Sequence, residues 1–300
     1  MKNSILFAGL ILLAASCSSE SDVTVSNPEV GTAPVSVRVN KFSIEQEGFA
    51  AARGLTRGTE TVEAFTKINA ITLAFYKADG TAQYKVTQLR GDDSNYDTFG
   101  EFSLALPMGS YSMVVLGYGG TAPITLNSTT EAIYPAEEHV RDTYVGTESV
   151  TIANTEAVEI SATLSRVNST LFVVSSDSKS DNASNLRMTF AAGGRGVNPQ
   201  TGLATSNTGF SNMTILSANQ DEGRTGSTSH LFLASNEQTM TVTLDVLDSE
   251  GATISHKVIN NVPFKRNRKT KLTGSLYTAN ASSASFTIED EPLDDYEMSF

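Results

Sequence analysis

Apolar residues recur in this 300-residue chain with period two and not 3.6, in segment after segment. Val35, Val37 and Val39 alternate with polar neighbours, as do Ile71, Leu73 and Phe75, then Phe102, Leu104 and Leu106, then Tyr111, Met113 and Val115. Each such run lays one face on a core, which is the signature of a half-buried strand. Asp79-Gly80 and Pro107-Met108-Gly109 separate pairs of these runs at hairpin spacing. The pattern predicts an all-β protein with long loops and little helix, built from meander or Greek-key sandwiches. Only one cysteine is present. No disulfide can therefore hold the chain, and the strand faces must do so.

That cysteine ends the stretch Met1 to Cys17, MKNSILFAGLILLAASC. A cationic start at Lys2, an apolar run from Ile5 to Leu13 and the small residues Ala14, Ala15 and Ser16 read as a secretory signal, because the run is too short to span a bilayer. Residues 1–16 are expected to be removed and Cys17 to be acylated as the mature N-terminus. Several acyl chains at about 0.8 kcal/mol per buried methylene would give durable membrane anchoring. Ala14 stands where such a signal usually has Leu. The Ser18–Asp22 run that comes next resembles the acidic tag of surface lipoproteins from Bacteroidetes, which implies export to the cell surface. The formal charge of -12 makes nucleic acid an unsuitable partner.

Val158, Ile160, Ala162 and Leu164 form a further alternating strand, after which Arg166-Val-Asn-Ser-Thr leads into Leu171. A domain boundary is expected near residue 165, dividing 17–165 from 166–300. The second part repeats the style at Leu186, Met188 and Phe190, at Met240, Val242, Leu244 and Val246, and at Ile254, His256 and Val258. Segments 117–147 and 191–229, rich in Gly, Asn, Ser and Thr, are expected to be long surface loops.

Candidate chemistry is sparse. His139, His230 and His256 are dispersed, with no second His or Cys at ligand spacing, so no metal site is expected. His256, between Ile254 and Val258, reads as a satisfied sheet histidine and not as a base. Asp93-Ser-Asn95-Tyr-Asp97 begins like a calcium loop but lacks the glycine and the closing glutamate. Gly193-Gly194-Arg195-Gly196 lacks the lysine of a phosphate loop and reads as an adaptable loop tip. The basic run Lys265–Lys269 reads as a solvated hairpin end or, alternatively, as a surface that meets acids such as Glu289–Asp295 of its own or another subunit. Catalytic residues: none; cofactors: none. The chain is read as a non-enzyme.

Taken together these residues resemble the fimbrillin superfamily of Bacteroidetes, the pilus subunits made from lipoprotein precursors. The resemblance is carried by the acylation signal with its tag, the strand Val35–Ile44 followed by arginines, Ile68–Tyr76 ending in Asp79-Gly80, Leu164–Phe172, and Val262–Gly274. It implies two tandem transthyretin-like (Greek-key) β-sandwich domains, and assembly by strand exchange after a trypsin-like, arginine-specific protease removes the first strand. The sequence accommodates such a mechanism. Val35, Val37 and Val39, with Phe42 and Ile44 after a one-residue shift, form a removable groove-filling strand over about residues 35–44. Arg57, or failing it Arg53, would be cut in a Gly, Ala and Thr-rich linker at about 53–58. Tyr296, Met298 and Phe300 alternate as a candidate donor strand, behind an acidic hinge at Glu289–Asp295; the alternative is that they form the last strand of their own sandwich.

The expected role is that of a fimbrial shaft, anchor or tip protein supporting cell adhesion, lipid-anchored on the outer membrane and in the fimbrium after maturation. Its expected partners are other fimbrial subunits, the protease, the membrane through its lipid, and a host or bacterial surface ligand. A surface glycan-binding lipoprotein is the alternative, against which stands the absence of Trp, a common sugar-stacking residue.

Overall fold

A computed structural model of the chain describes residues 31–43, 59, 60, 62, 65–92, 96–120, 124–216, 226–278 and 286–292. Among them every helix or strand assigned is a strand, as the period-two pattern requires. The order opens with β1 (Thr32–Ser43), β2 (Thr59–Glu60), β3 (Ala70–Tyr76), β4 (Ala82–Leu89) and β5 (Glu101–Pro107). It continues with β6 (Gly109–Tyr118), β7 (Thr125–Ser128), β8 (Glu131–Ile133), β9 (Thr143–Ile152) and β10 (Val158–Arg166). Then come β11 (Ser169–Ser175), β12 (Asn185–Phe190), β13 (Gly196–Asn198), β14 (Leu203–Ala204) and β15 (Phe210–Ile215). β16 (Gly226–Leu231), β17 (Glu237–Leu247), β18 (Thr253–Lys265), β19 (Arg268–Gly274) and β20 (Thr287–Pro292) complete it.

In the first sandwich, β9, β6, β3 and β4 form an antiparallel layer in that order. The opposite layer is β5, β1 and β10, with β1 antiparallel to β5 and parallel to β10. The layers join at one corner, where β9 pairs with β10 only through Tyr144 and Val145. Gly146 sits at that corner. A Cβ there would lie 2.8 Å from the Thr163 carbonyl oxygen, so only glycine lets the two backbones approach. Val35, Val37, Val39, Leu106 and Leu164 share a core with Ile71, Leu73, Phe75, Met113 and Val115 of the facing layer.

The second sandwich repeats this pairing plan. β18, β17, β12 and β15 form one layer, and β16, β11 and β19 the other, with β11 parallel to β19 just as β1 is to β10. Leu171, Val173, Leu186, Met188, Val242, Leu244, Phe264 and Leu272 fill its core. One strand breaks the equivalence. β20 adds to the outer edge of β19 in the second sandwich, where the first has no counterpart among the described residues.

Segments 117–147 and 191–229 are not the surface loops expected from their composition. They contribute β7, β8, β13 and β14 to a small sheet, in which Gly196 and Val197 pair with Ile133 and Ala132. This sheet covers the outer face of β3 and β6. Ala70, Ala74, Tyr76, Val114, Leu116 and Tyr118 are buried against Ile124, Leu126, Tyr134, Val197 and Phe232. Strands of two to four residues are too short to produce a readable period, which is why Gly and Thr content suggested loops. The Gly193–Gly196 run is likewise no adaptable tip. Gly194 exchanges backbone bonds with Phe232, and a Cβ on it would meet the Ser206 carbonyl oxygen at 2.5 Å.

Candidate functional site

β1 is inserted between two other strands for most of its length. Thr32–Arg38 pair with Pro107–Glu101, and Val35–Ser43 with Val158–Ser165, while Phe42 and Ser43 also meet β2. The register slips by one residue between Val39 and Lys41. Val35, Val37 and Val39 are 1%, 1% and 3% exposed, and Ala33, which the sequence did not single out, is fully buried. At roughly 1.5–3 kcal/mol for each large apolar side chain buried, these valines are a substantial share of what holds the layer together. The outward face is polar. Arg38 meets Glu101 at 2.8 Å and Asn40 donates to Ser161 at 2.6 Å. Removing β1 would therefore leave both an apolar slot and two rows of unpaired backbone groups, one on β5 and one on β10. Phe42 takes its place in the ladder opposite Leu164. Cys17, Ile44, Arg53, Arg57, Tyr296, Met298 and Phe300 lie outside the described residues, as do Asp93 to Asn95 of the calcium-like run.

At the other end of the chain, the basic run is not a solvated hairpin end. Arg268 and Lys269 are 7% and 2% exposed. The alternative reading describes it: Arg268 Nε donates to Asp290 at 2.6 Å, and Lys271 meets Glu289 at 3.2 Å across the β19–β20 pair. Residues 289–292, expected to be a hinge, thus belong to an edge strand whose acids match the cations opposite. Backbone pairing brought them there and charge complementarity fixes the register. The strand itself is lightly held, with Thr287, Ile288, Glu289 and Asp290 all exposed.

A single carboxylate closes the second sandwich ahead of that strand. Asp177 accepts from the backbone N–H groups of Leu276 at 2.7 Å, Tyr277 at 3.0 Å and Thr278 at 2.8 Å, and from Ser275 and Thr278 hydroxyls at 2.7 Å and 2.8 Å. Burial alone would raise its pKa, but the hydrogen bonds from Ser175, Ser275, Thr278 and Tyr277 outweigh that and hold it far below the usual carboxylate range. Leu276 and Tyr277 are pinned by this clamp at 1% and 5% exposure as the last buried members of the second core, with Phe286 packed against it from further along the chain.

Between the sandwiches lies a buried polar cluster that the sequence pattern did not reveal. Arg166, whose side chain is fully buried, meets Asp142 at 3.2 Å; Asn168 Nδ2 donates to Asp142 at 3.1 Å, and the Thr143 N–H donates to Asn168 Oδ1 at 2.9 Å. His230 Nδ1 lies 2.9 Å from Thr170 Oγ1 and 3.2 Å from Asn168 Nδ2. Burial would raise the Asp142 pKa, yet Arg166 foremost, with His230 and Asn168, holds it below its ordinary value. Burial lowers the His230 pKa; Asp142 opposes this, and Arg166 and Arg141 add to it. A neutral ring also fits the geometry, because Nδ1 must accept from the Asn168 amide.

This gives a pH dependence with a definite sign. Above about 6.5, the ordinary histidine value, His230 is neutral in both folded and unfolded chains. As pH falls below it, the unfolded chain takes a proton that the folded one refuses, so stability declines towards the lowered folded value. Thermal melts across that range should show His230→Gln to have a flatter slope than the parent, with His139, whose pKa is also lowered first of all by burial, as the remaining histidine contribution. An unchanged slope would remove His230 from the account. His256, in contrast, is exposed and pairs with Asp245, which Arg187 holds at 2.9 Å from the other side.

Among the described residues no group of three or more His, Cys, Asp or Glu is placed to hold a metal ion. No helix among them is long and apolar enough to cross a membrane.

Residues 122–297 match the model of a family described as a family of unknown function, DUF6562. No curated protein matches the chain. Among solved structures, a candidate adhesin from Bacteroides ovatus is similar over 85% of this chain and 96% of its own, with a TM-score of 0.50 and 9% identity. That likeness is one of fold. A candidate polysaccharide-binding protein (DUF1812) from Bacteroides thetaiotaomicron aligns over 87% of this chain and 98% of its own, with a TM-score of 0.49 and 11% identity. The fimbrial anchor protein Mfa2 from Porphyromonas gingivalis aligns over 86% and 97%, with a TM-score of 0.43 and 12% identity.

Proposed function

The chain belongs to the DUF6562 family of unknown function, and since membership brings no activity with it, we propose a role from the architecture: a structural subunit of a surface fimbrium, in shaft, anchor or tip position, exported as a lipoprotein through Cys17 and assembled by strand exchange. The chain has no catalytic part in this role. The domains are 17–165 and 166–300, each a sandwich whose first strand lies parallel to a late one, β1 to β10 and β11 to β19.

The observation that carries the reading is β1. It precedes every other described element, its valines fill a slot between β5 and β10, and its loss would leave the facing layer of β9, β6, β3 and β4 still paired. A replacement strand entering that slot would gain main-chain hydrogen bonds on both sides and apolar pockets at alternate positions. Arg57, with Arg53 as second choice, is the bond whose cleavage would release it. The donor is the C-terminal run Tyr296, Met298 and Phe300. In support, the Asp177 clamp holds Leu276 and Tyr277, the last buried members of the second core, and among the described residues beyond Thr278 only Phe286 packs against that core. If the C-terminal run stays with its own sandwich instead, the subunit accepts a strand and donates none, which suits an anchor or tip.

Limited trypsin treatment of the folded precursor tests this. The first cut is expected after Arg57 or Arg53, leaving 58–300 resistant, because the basic residues further on are buried, ion-paired or, at Arg266, hydrogen-bonded to the Thr201 carbonyl. Trimmed subunits should then polymerise, and subunits also lacking 294–300 should stay monomeric and folded. Early cleavage within 265–269, or a trimmed chain that never associates, would count against the proposal.

A further inference from the structure

The small sheet covers only part of the outer face of β6 and β9. Where the cover ends, two rungs of the β6–β9 ladder, Ser112 opposite Ser149 and Val114 opposite Thr147, face the tips of two hairpins. Thr129 stands at the turn between β7 and β8, and Gln200 at the turn between β13 and β14. Together they line a notch of about 230 Å³. Its floor is fixed by packing, because Val114 is buried beneath the covering sheet and Met113, on the opposite face, in the first core.

The polar groups in the notch are unspent. Elsewhere on these sheets, facing hydroxyls bond to one another: Ser110 to Thr151 at 3.4 Å further along the same ladder, Thr72 to Thr87 at 2.8 Å, and Thr189 to Ser211 at 2.7 Å. Among the described residues no hydrogen bond engages the side chains of Ser112, Thr129, Thr147, Ser149 or Gln200. Four hydroxyls and a carboxamide thus converge on a concavity held open by two hairpins.

We infer that this notch binds a single neutral sugar unit at the end or branch of a glycan. Hydroxyls and a carboxamide each donate and accept, which suits the vicinal hydroxyls of a sugar ring, every one of which does the same. No Lys, Arg or His lines the notch, so a phosphate, sulfate or carboxylate would find no counter-charge there. The volume equals the share of roughly eight water molecules at about 30 Å³ each, and falls below the roughly 300–1,000 Å³ of pockets that enclose drug-sized ligands. One ring fits and an extended oligosaccharide does not. No aromatic ring lines the notch, so the affinity of one site is weak, and a surface bearing many copies binds through avidity. This site is independent of assembly by strand exchange.

The test uses the full chain as a monomer, with saturation-transfer NMR against methyl glycosides of mannose, galactose, glucose and N-acetylglucosamine, and against glucuronate, sulfate and choline. At least one neutral glycoside is expected to bind with a Kd in the millimolar range, about the weakest that such spectra resolve, and the charged probes are expected to give no signal. Ser149→Trp, at an exposed position, should fill the notch and abolish the signal without lowering Tm, and Gln200→Ala, on the hairpin tip, should weaken it severalfold. Silence from every neutral glycoside, binding that survives Ser149→Trp, or a preference for a charged probe would each overturn the inference.

Discussion

Val37→Asp is expected to unfold the first sandwich. Val37 is 1% exposed between Phe102 of β5 and Ile160 of β10, so a carboxylate there has neither water nor a cation within the slot, and the loss should reach upwards of about 4 kcal/mol. Val37→Ala, which only empties the site, should lose about 2 kcal/mol. Hydrogen exchange resolved by peptide would show protection collapsing over β3 to β10 in the aspartate variant. A companion measurement separates packing from function. A synthetic peptide spanning residues 31–44 should bind the trypsin-trimmed subunit and restore its Tm, since the vacated slot keeps both hydrogen-bonding edges. Full stability of Val37→Asp, or indifference of the trimmed subunit to the peptide, would mean that β1 is not what closes this core.

The second large effect belongs to Arg166→Ala. Its guanidinium is fully buried against Asp142 and stands 5.1 Å over the Tyr144 ring. Taking away the cation leaves the Asp142 carboxylate, 18% exposed, without its principal counter-charge, and truncation of one partner in such a pair costs about 3–5 kcal/mol. The double variant Arg166→Met with Asp142→Leu should recover much of that, because a pair replaced by apolar side chains leaves no stranded charge. Urea denaturation of the single and double variants gives the coupling directly. Additive losses would show that the two side chains act independently.

The strands bordering each core were legible in the sequence because they have one wet face. β1 is such a case: Val35, Val37 and Val39 alternate with exposed Ser36 and Arg38. β3 is the opposite case. Ile71, Leu73 and Phe75 announced the inner face, yet all seven residues are buried, since Ala70, Ala74 and Tyr76 lie beneath the small sheet. A strand dry on both sides loses its alternation. The covering strands gave no period at all, being two to four residues long. The polar junction was unreadable for another reason: Asp142, Arg166 and His230 come together only through tertiary packing, and in sequence each looks like an isolated charge. Asp177 is similar, an aspartate in a serine-rich stretch that reads as a turn until the segment 275–278 folds onto it. The acid–base match between β19 and β20 was visible as one of two readings, because complementary charge is a property of composition before it is one of geometry.

The parallel pairing of first strand with a late one carries a consequence for the order of events when the chain folds. β3, β4, β6 and β9 are joined by antiparallel contacts between near neighbours in sequence, whereas β1 finds its partner β10 only after every other strand of its sandwich has been made. Closing such long loops is slow, and non-local pairings are the late ones. A chain leaving a translocation pore with its N-terminus first can pair one edge of β1 with β5 early but carries the other edge open until β10 emerges, and β11, with β16 on one side, waits in the same way for β19. Folding arrives at its end through a species in which one edge of β1 is still open. A chaperone that shields extended segments, or a neighbouring molecule offering its own strand, meets that open edge before β10 docks, so the speed of docking sets how long premature cross-pairing is open to a crowded compartment.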